Sequence, residues 1–166
     1  MSIQFSADDI FQVAIRKEQD AAVFYNTAAR AVDYPGGRQL LEELAGWEEK
    51  HEQIFSEMRN NLSDAEKEET AFDPYDENAQ YLKAMADHSS MGGRYENPEQ
   101  LVGQSPDFSR ILNVALDKEK DTIAFYLGIQ DLVPARFGQD KIGEILKEEK
   151  RHVRIITEQL NKLAST

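Results

Sequence analysis

Four long stretches of the chain space their apolar residues three and four positions apart, the period of a helix with one buried face. The first carries Phe11, Ala14, Ile15, Ala22, Tyr25 and Ala29. Ser6-Ala7-Asp8-Asp9 precedes most of it and supplies an N-cap followed by acids for the first turn. It stops before Pro35-Gly36-Gly37, which reads as a break. The second runs from about Arg38 to Arg59, with Leu41, Leu44, Ala45, Phe55 and Met58 on one face. The third opens at Ser105-Pro106-Asp107, an N-cap with proline in the first helical position. Its stripe is Ile111, Ala115, Leu116, Tyr126, Ile129 and Val133. The fourth runs from about Gln139 to Leu163, with Ile142, Ile145, Ile156, Leu160 and Leu163. No stretch alternates with the period of a strand, so the chain reads as all-α.

Short connections join the first helix to the second and the third to the fourth, and short connections make antiparallel neighbours. The segment between the second and third helices is long, polar and acidic, with Pro74, Gly92, Gly93 and Pro98. Within it, Ser63-Asp64-Ala65-Glu66 has the form of a capping box, and Gln80 to Ala86 forms a further short helix. The expected architecture is one domain over 1–166, an antiparallel four-helix bundle. Hairpin 1 spans about 6–60, a crossover about 61–104 and hairpin 2 about 105–164.

The two hairpins repeat. At one fixed offset of 101 positions, without a gap from Val13 to Glu57, the matches include Ala14/Ala115, Lys17/Lys118, Glu18/Glu119, Asp20/Asp121, Phe24/Phe125 and Tyr25/Tyr126. They continue through Gly37/Gly138, Glu43/Glu144, Glu48/Glu149, His51/His152 and Ile54/Ile155. Charged identities at a single offset point to a duplicated hairpin with pseudo-two-fold symmetry.

Six of the repeated residues lie where charge is costly. His51 and His152 each follow a glutamate by three positions, Glu48 and Glu149, so each pair shares a helix face. That face is the apolar one: Leu41, Leu44, Glu48, His51 and Phe55 form one stripe, and Ile142, Ile145, Glu149, His152 and Ile156 the other. Glu18 falls among Ala14, Ala22 and Tyr25, and Glu119 among Ala115 and Tyr126. Buried ions cost several kcal/mol each unless compensated. Two divalent metal ions would balance four carboxylates. Without metal, the four are expected to repel one another and to raise each other's pKa, with Glu119 a candidate bridge whose replacement by leucine stabilises the metal-free protein.

Composition narrows the metal. The chain has no cysteine, which removes disulfides, zinc–thiolate sites and iron–sulfur clusters. Carboxylate with imidazole suits iron or manganese, with zinc or copper as substitutes. The formal charge of −12 argues against nucleic acid as a partner. No long apolar run is present, so no membrane span is expected. Met1 to Phe5 holds neither a basic region nor an apolar run, so no secretory signal is expected and a cytoplasmic location is.

The segments Ala14-Ile15-Arg16-Lys17-Glu18 to Phe24-Tyr25, Leu44 to His51, Tyr81 to Asp87 and Glu119 to Tyr126 resemble the ferritin-like domain of the rubrerythrin family. The resemblance covers nearly the whole chain. It implies a non-haem di-iron centre, bridged by oxo or carboxylate groups, with Glu18, Glu48, His51, Glu119, Glu149 and His152 as ligands. It also implies oxidoreductase activity in oxidative stress, the reduction of hydrogen peroxide or dioxygen. Tyr25 matches a tyrosine that hydrogen-bonds a ligand, and Tyr126 is its repeat. Rubrerythrins of the usual type carry a rubredoxin domain that delivers electrons; with no cysteine here, a separate donor protein such as a rubredoxin is expected. They also carry an extra glutamate one turn after the third-helix ligand, where this chain has Thr122. The symmetric set that remains leaves open ferroxidase or iron-handling chemistry, and a hydroxylase resembling demethoxyubiquinone monooxygenase. A homodimer is the expected assembly.

Other residues read more plainly. Asp20 and Asp121 are surface acids or partners of a histidine, Trp47 is a packing or interface residue, and His88 is a solvated loop residue. The acidic stretch Asp64 to Glu77 is solvated.

Overall fold

A computed structural model describes residues 5–68, 77–90 and 107–165, the side chains of 78 and 86–90 excepted. Its described elements are α1 (Ala7–Ala31), α2 (Pro35–Asn60), α3 (Asp64–Glu68), α4 (Glu77–Ser90), α5 (Phe108–Gln130), a 3-10 turn (Ala135–Phe137) and α6 (Gln139–Ala164). The chain is all-α. Its four long helices form an antiparallel bundle of two hairpins, α1–α2 and α5–α6, joined by the long crossover.

Helix starts follow local chemistry. Ser6 caps α1 through a reciprocal pair: its hydroxyl accepts from Asp9 N at 3.2 Å, and its own N–H donates to Asp9 Oδ2 at 3.0 Å. Ser63 and Glu66 make the same box at α3. Three expectations need correction. Pro35-Gly36-Gly37 does not lie outside α2 but forms its first turn, because proline at N1 gives up an N–H that has no helical partner there. The cap of α5 is Asp107, whose carboxylate accepts from Ser109 N at 3.0 Å; Ser105 and Pro106 lie outside the described residues. His88 sits in helix α4, not in a loop, and its side chain lies outside the described residues. Residues 69–76 of the acidic stretch lie outside them too, while Asp64 and Glu77 at its ends are exposed. At the other hairpin, Gly138 takes φ 99° and turns the chain into α6, a left-handed conformation that favours glycine.

Arg59 at the end of α2 donates to Asp8 at the start of α1, 2.8 Å Nε to Oδ1, and closes the first hairpin. Helix α4 docks on α5 through Tyr81, whose hydroxyl donates to Ala124 O at 2.7 Å. The predicted stripes are buried, apart from Ile15, Leu116, Leu160 and Leu163, which are half-buried.

The interior is not continuous. One apolar cluster gathers Phe11, Phe55, Tyr126, Ile129, Ile142 and Ile145, and a second gathers Tyr25, Leu41, Leu44, Ile111, Leu112 and Ile156. Each draws on all four long helices. Between them, at mid-height, the stripes carry glutamate and histidine.

Candidate metal centre

The six residues singled out by their spacing converge in this layer. Glu18 (α1), Glu48 and His51 (α2), Glu119 (α5), and Glu149 and His152 (α6) are each at most 3% exposed. The i, i+3 spacing turns each histidine and its own glutamate to one side. His51 Nδ1 lies 2.9 Å from Glu149 Oε1, 3.2 Å from Glu48 Oε2 and 3.9 Å from Glu18 Oε2. His152 Nδ1 lies 3.2 Å from Glu48 Oε1, 3.3 Å from Glu149 Oε2 and 3.5 Å from Glu119 Oε2. Glu48 and Glu149 therefore offer one oxygen to each histidine. Glu18 serves only the His51 side and Glu119 only the His152 side. The bridging positions are Glu48 and Glu149, not Glu119: the two i, i+3 pairs face each other, while the glutamates of α1 and α5 flank them.

Two donor groups result, Glu18/Glu48/His51/Glu149 and Glu48/Glu119/Glu149/His152, each with its donor atoms within 4.8 Å of one another. Glu18 Oε2, Glu48 Oε1, both Glu149 oxygens and His152 Nδ1 are buried without an aligned hydrogen-bond partner. Buried polar atoms are ordinarily satisfied. Orphaned lone pairs converging from oxygen and imidazole nitrogen suit divalent cations of iron or manganese type. The cluster fits a dinuclear metal site.

The tyrosines cross the bundle. Tyr25 OH donates to Glu119 Oε1, and Tyr126 OH donates to Glu18 Oε1. Each tyrosine lies seven residues past the other's glutamate partner in the repeat, a reciprocity that needs α1 and α5 to run in opposite directions.

Charge in the layer is divided unevenly. For Glu18, burial, then the charges of Glu149 and Glu48, push its pKa well up. For Glu119, burial, then Glu48 and Glu149, do the same. Burial opposes the charges of Glu48 and Glu149, and the charge of Glu149 opposes that of Glu48, but the close approach of both imidazoles outweighs this and holds both pKa values down. Burial opposes the imidazolium forms as well. Yet the carboxylates of Glu149 and Glu48 close to it raise His51 to about 11, and those of Glu119, Glu149 and Glu48 raise His152 to about 12. The expectation of four carboxylates repelling one another thus holds for two. The histidines supply the cations that sequence reasoning did not assign.

Sequence reasoning also missed what touches the histidines from outside. His51 Nε2 lies 2.8 Å from Glu148 Oε2, so the partner acid is Glu148 rather than Asp20 or Asp121. Asp20 is exposed and Asp121 half-buried. Trp47 stacks on His152, with ring centroids 5.0 Å apart and planes at 12°. Glu148 and Trp47 each precede a site glutamate by one residue, an offset that gave no signal. Across the α1–α5 seam, Lys17 lies over Phe125 and Lys118 over Phe24, at 5.3 and 5.2 Å.

A rubrerythrin profile matches residues 9–100, more than half of the chain. The chain belongs to the rubrerythrin family. A crystal structure from Thermotoga maritima, described as that of a ferritin-like diiron-carboxylate protein, superposes with a TM-score of 0.72 at 23% identity, covering 100% of both chains. At that identity the likeness speaks for the fold. No curated protein matches the chain in sequence. The family membership, the fold and the buried cluster together make this a rubrerythrin-like di-metal protein. No described helix is long and apolar enough to cross a membrane.

Proposed function

We propose that this rubrerythrin-family chain is a non-haem di-iron oxidoreductase that reduces hydrogen peroxide or dioxygen, with electrons from a separate donor protein such as a rubredoxin. The observation that carries the reading is the buried set of four carboxylates and two imidazoles with orphaned donor atoms. Glu18, Glu48, His51, Glu119, Glu149 and His152 are the proposed ligands, with Glu48 and Glu149 shared between two ions. Bound iron supplies two one-electron steps between its ferrous and ferric states, the pair needed to take hydrogen peroxide and two protons to two waters. The residues of the chain do the rest. The histidines turn Nδ1 inward. Tyr25 and Tyr126 fix the carboxylates of Glu119 and Glu18 and hold a hydroxyl proton on them. The apolar clusters on both sides keep bulk water from the layer. Manganese or zinc are the proposed substitutes, and a homodimer in the cytoplasm the proposed state.

A second reading, ferroxidase or iron handling, draws support from Thr122, where the usual family member has an additional glutamate. The test is stopped-flow oxidation of the protein loaded anaerobically with two Fe(II). Faster oxidation by hydrogen peroxide than by dioxygen at equal concentration is expected. A dioxygen rate equal or greater moves the assignment to ferroxidase or oxygenase chemistry. Native mass then separates storage from enzyme, since storage needs a closed shell of many subunits.

A further inference from the structure

All six donors of the cluster obey the internal repeat, but the residues that touch the outer sides of the two imidazoles do not. His51 donates from Nε2 to Glu148 Oε2 at 2.8 Å. The position that repeats Glu148 in the first hairpin is 47, a tryptophan. Trp47 stacks on His152 with its ring plane tilted by 12° from the imidazole. The Arg151 guanidinium carbon lies 5.1 Å from the centre of the Trp47 ring. One imidazole is thus held in its plane by a carboxylate. The other is covered on its face by an indole that has a cation against it.

We infer that Glu148 and Trp47 make the two metal positions unequal, so that the position built on Glu18 and His51 fills first and holds its ion more tightly than the one built on Glu119 and His152. The inference rests on the dinuclear reading above and deepens it. An acceptor on the outer nitrogen fixes the ring with Nδ1 facing the metal and makes that nitrogen a stronger donor; loss of such a partner typically costs roughly 10–100-fold in metal affinity. An indole cannot replace it, because its only polar hydrogen is itself a donor. Charge acts in the same direction: a carboxylate touches the His51 side, and the Arg151 guanidinium lies beside the His152 side. Glu148 is 56% exposed, so its long-range field is screened and the direct hydrogen bond carries most of the effect. Glu148 is therefore a positioning residue for one half of a centre whose ligands alone are symmetric.

Trp47 is the one tryptophan in the sequence, so tryptophan emission comes from the ring that lies on His152. The test titrates the full chain, freed of metal by chelator and kept anaerobic, with Co(II), followed in parallel by calorimetry and by emission. Two ions per chain are expected, the first bound at least about tenfold more tightly, with the emission change concentrated in the second step. Glu148→Ala removes the acceptor and should weaken the first step by roughly 10–100-fold and bring the two steps together. Trp47→Glu places a carboxylate at the repeat-equivalent position and should tighten the second step while leaving the first in place. Should Trp47→Glu fail to fold, Glu148→Ala, a change at an exposed residue, decides alone. Two ions of equal affinity in the wild type, emission that changes fully with the first ion, or a Glu148→Ala variant that keeps the gap between the steps would each overturn the inequality. Fewer than two ions per chain would instead overturn the dinuclear reading.

Discussion

Glu119 meets a phenol on one side and an imidazole on the other. Tyr25 OH donates to its Oε1, and His152 Nδ1 lies 3.5 Å from its Oε2. Along the sequence Tyr25 reads as a phenol that bonds some ligand carboxylate without showing which, and Glu119 as an acid in an apolar stripe whose replacement by leucine should relieve the metal-free protein. The structure reverses that expectation. Leucine leaves the fully buried Tyr25 hydroxyl without an acceptor, which costs about 1–3 kcal/mol. Glutamine keeps an acceptor and removes the charge. Among metal-free proteins, Glu119→Leu should therefore melt below Glu119→Gln, and Tyr25→Phe added to Glu119→Leu should recover part of the loss. Thermal unfolding in chelator checks the order. At this scale the sequence disclosed which groups are buried, because an acid inside an apolar period contradicts its neighbours. It did not disclose which carboxylate each phenol meets or that Glu148 meets His51, since these pairs form only through the register of two helices far apart in the chain.

The elements divide in the same way. Their existence and faces were readable from the period alone, and the start of α6 at Gln139 fell where expected. Ends set by proline were not: Pro35 signals a break and a helix start with equal force, and only the chain before it decides. The packing of α4 on α5 was also hidden, because it turns on the absence of a side chain. A Cβ at Gly128 would lie 2.2 Å from Tyr81 Cε1, whereas one at Gly46, midway along α2, would meet nothing within 4 Å. Two alanines should then have opposite effects. Gly46→Ala should raise stability by about 1 kcal/mol through helix propensity. Gly128→Ala should lower it by roughly 1–3 kcal/mol by forcing Tyr81 and α4 away from α5. Urea unfolding midpoints of the two variants test the contrast.

For the whole molecule, the divided charge of the central layer makes stability depend on pH with a definite sign. His51 and His152 are raised from 6.5, so their contribution is complete below 6.5 and is lost as pH climbs through about 11 and 12. Glu48 and Glu149 are lowered from 4.5, so theirs is present above 4.5 and is lost as pH falls through the lowered values. Glu18 and Glu119 are raised, so theirs is present below 4.5 and is lost as pH rises through the raised values. The contribution of the layer to the metal-free protein should thus be largest near pH 4.5 and fall on either side of it. There the layer holds four protons, one on each histidine and one each on Glu18 and Glu119, against four carboxylates. Two divalent ions replace them without change of net charge. Calorimetry in buffers of different ionisation enthalpy should find close to four protons released per two ions at about pH 6. Release near zero would mean that the layer is already deprotonated before metal arrives. The layer also separates two apolar clusters, each built from all four long helices. Between the ends of the bundle, side-chain contact therefore passes through the six polar residues at its waist, beside the four continuous helices. With ions in place, the two ends should open together; with protons in their place, hydrogen exchange should find them opening more independently of each other.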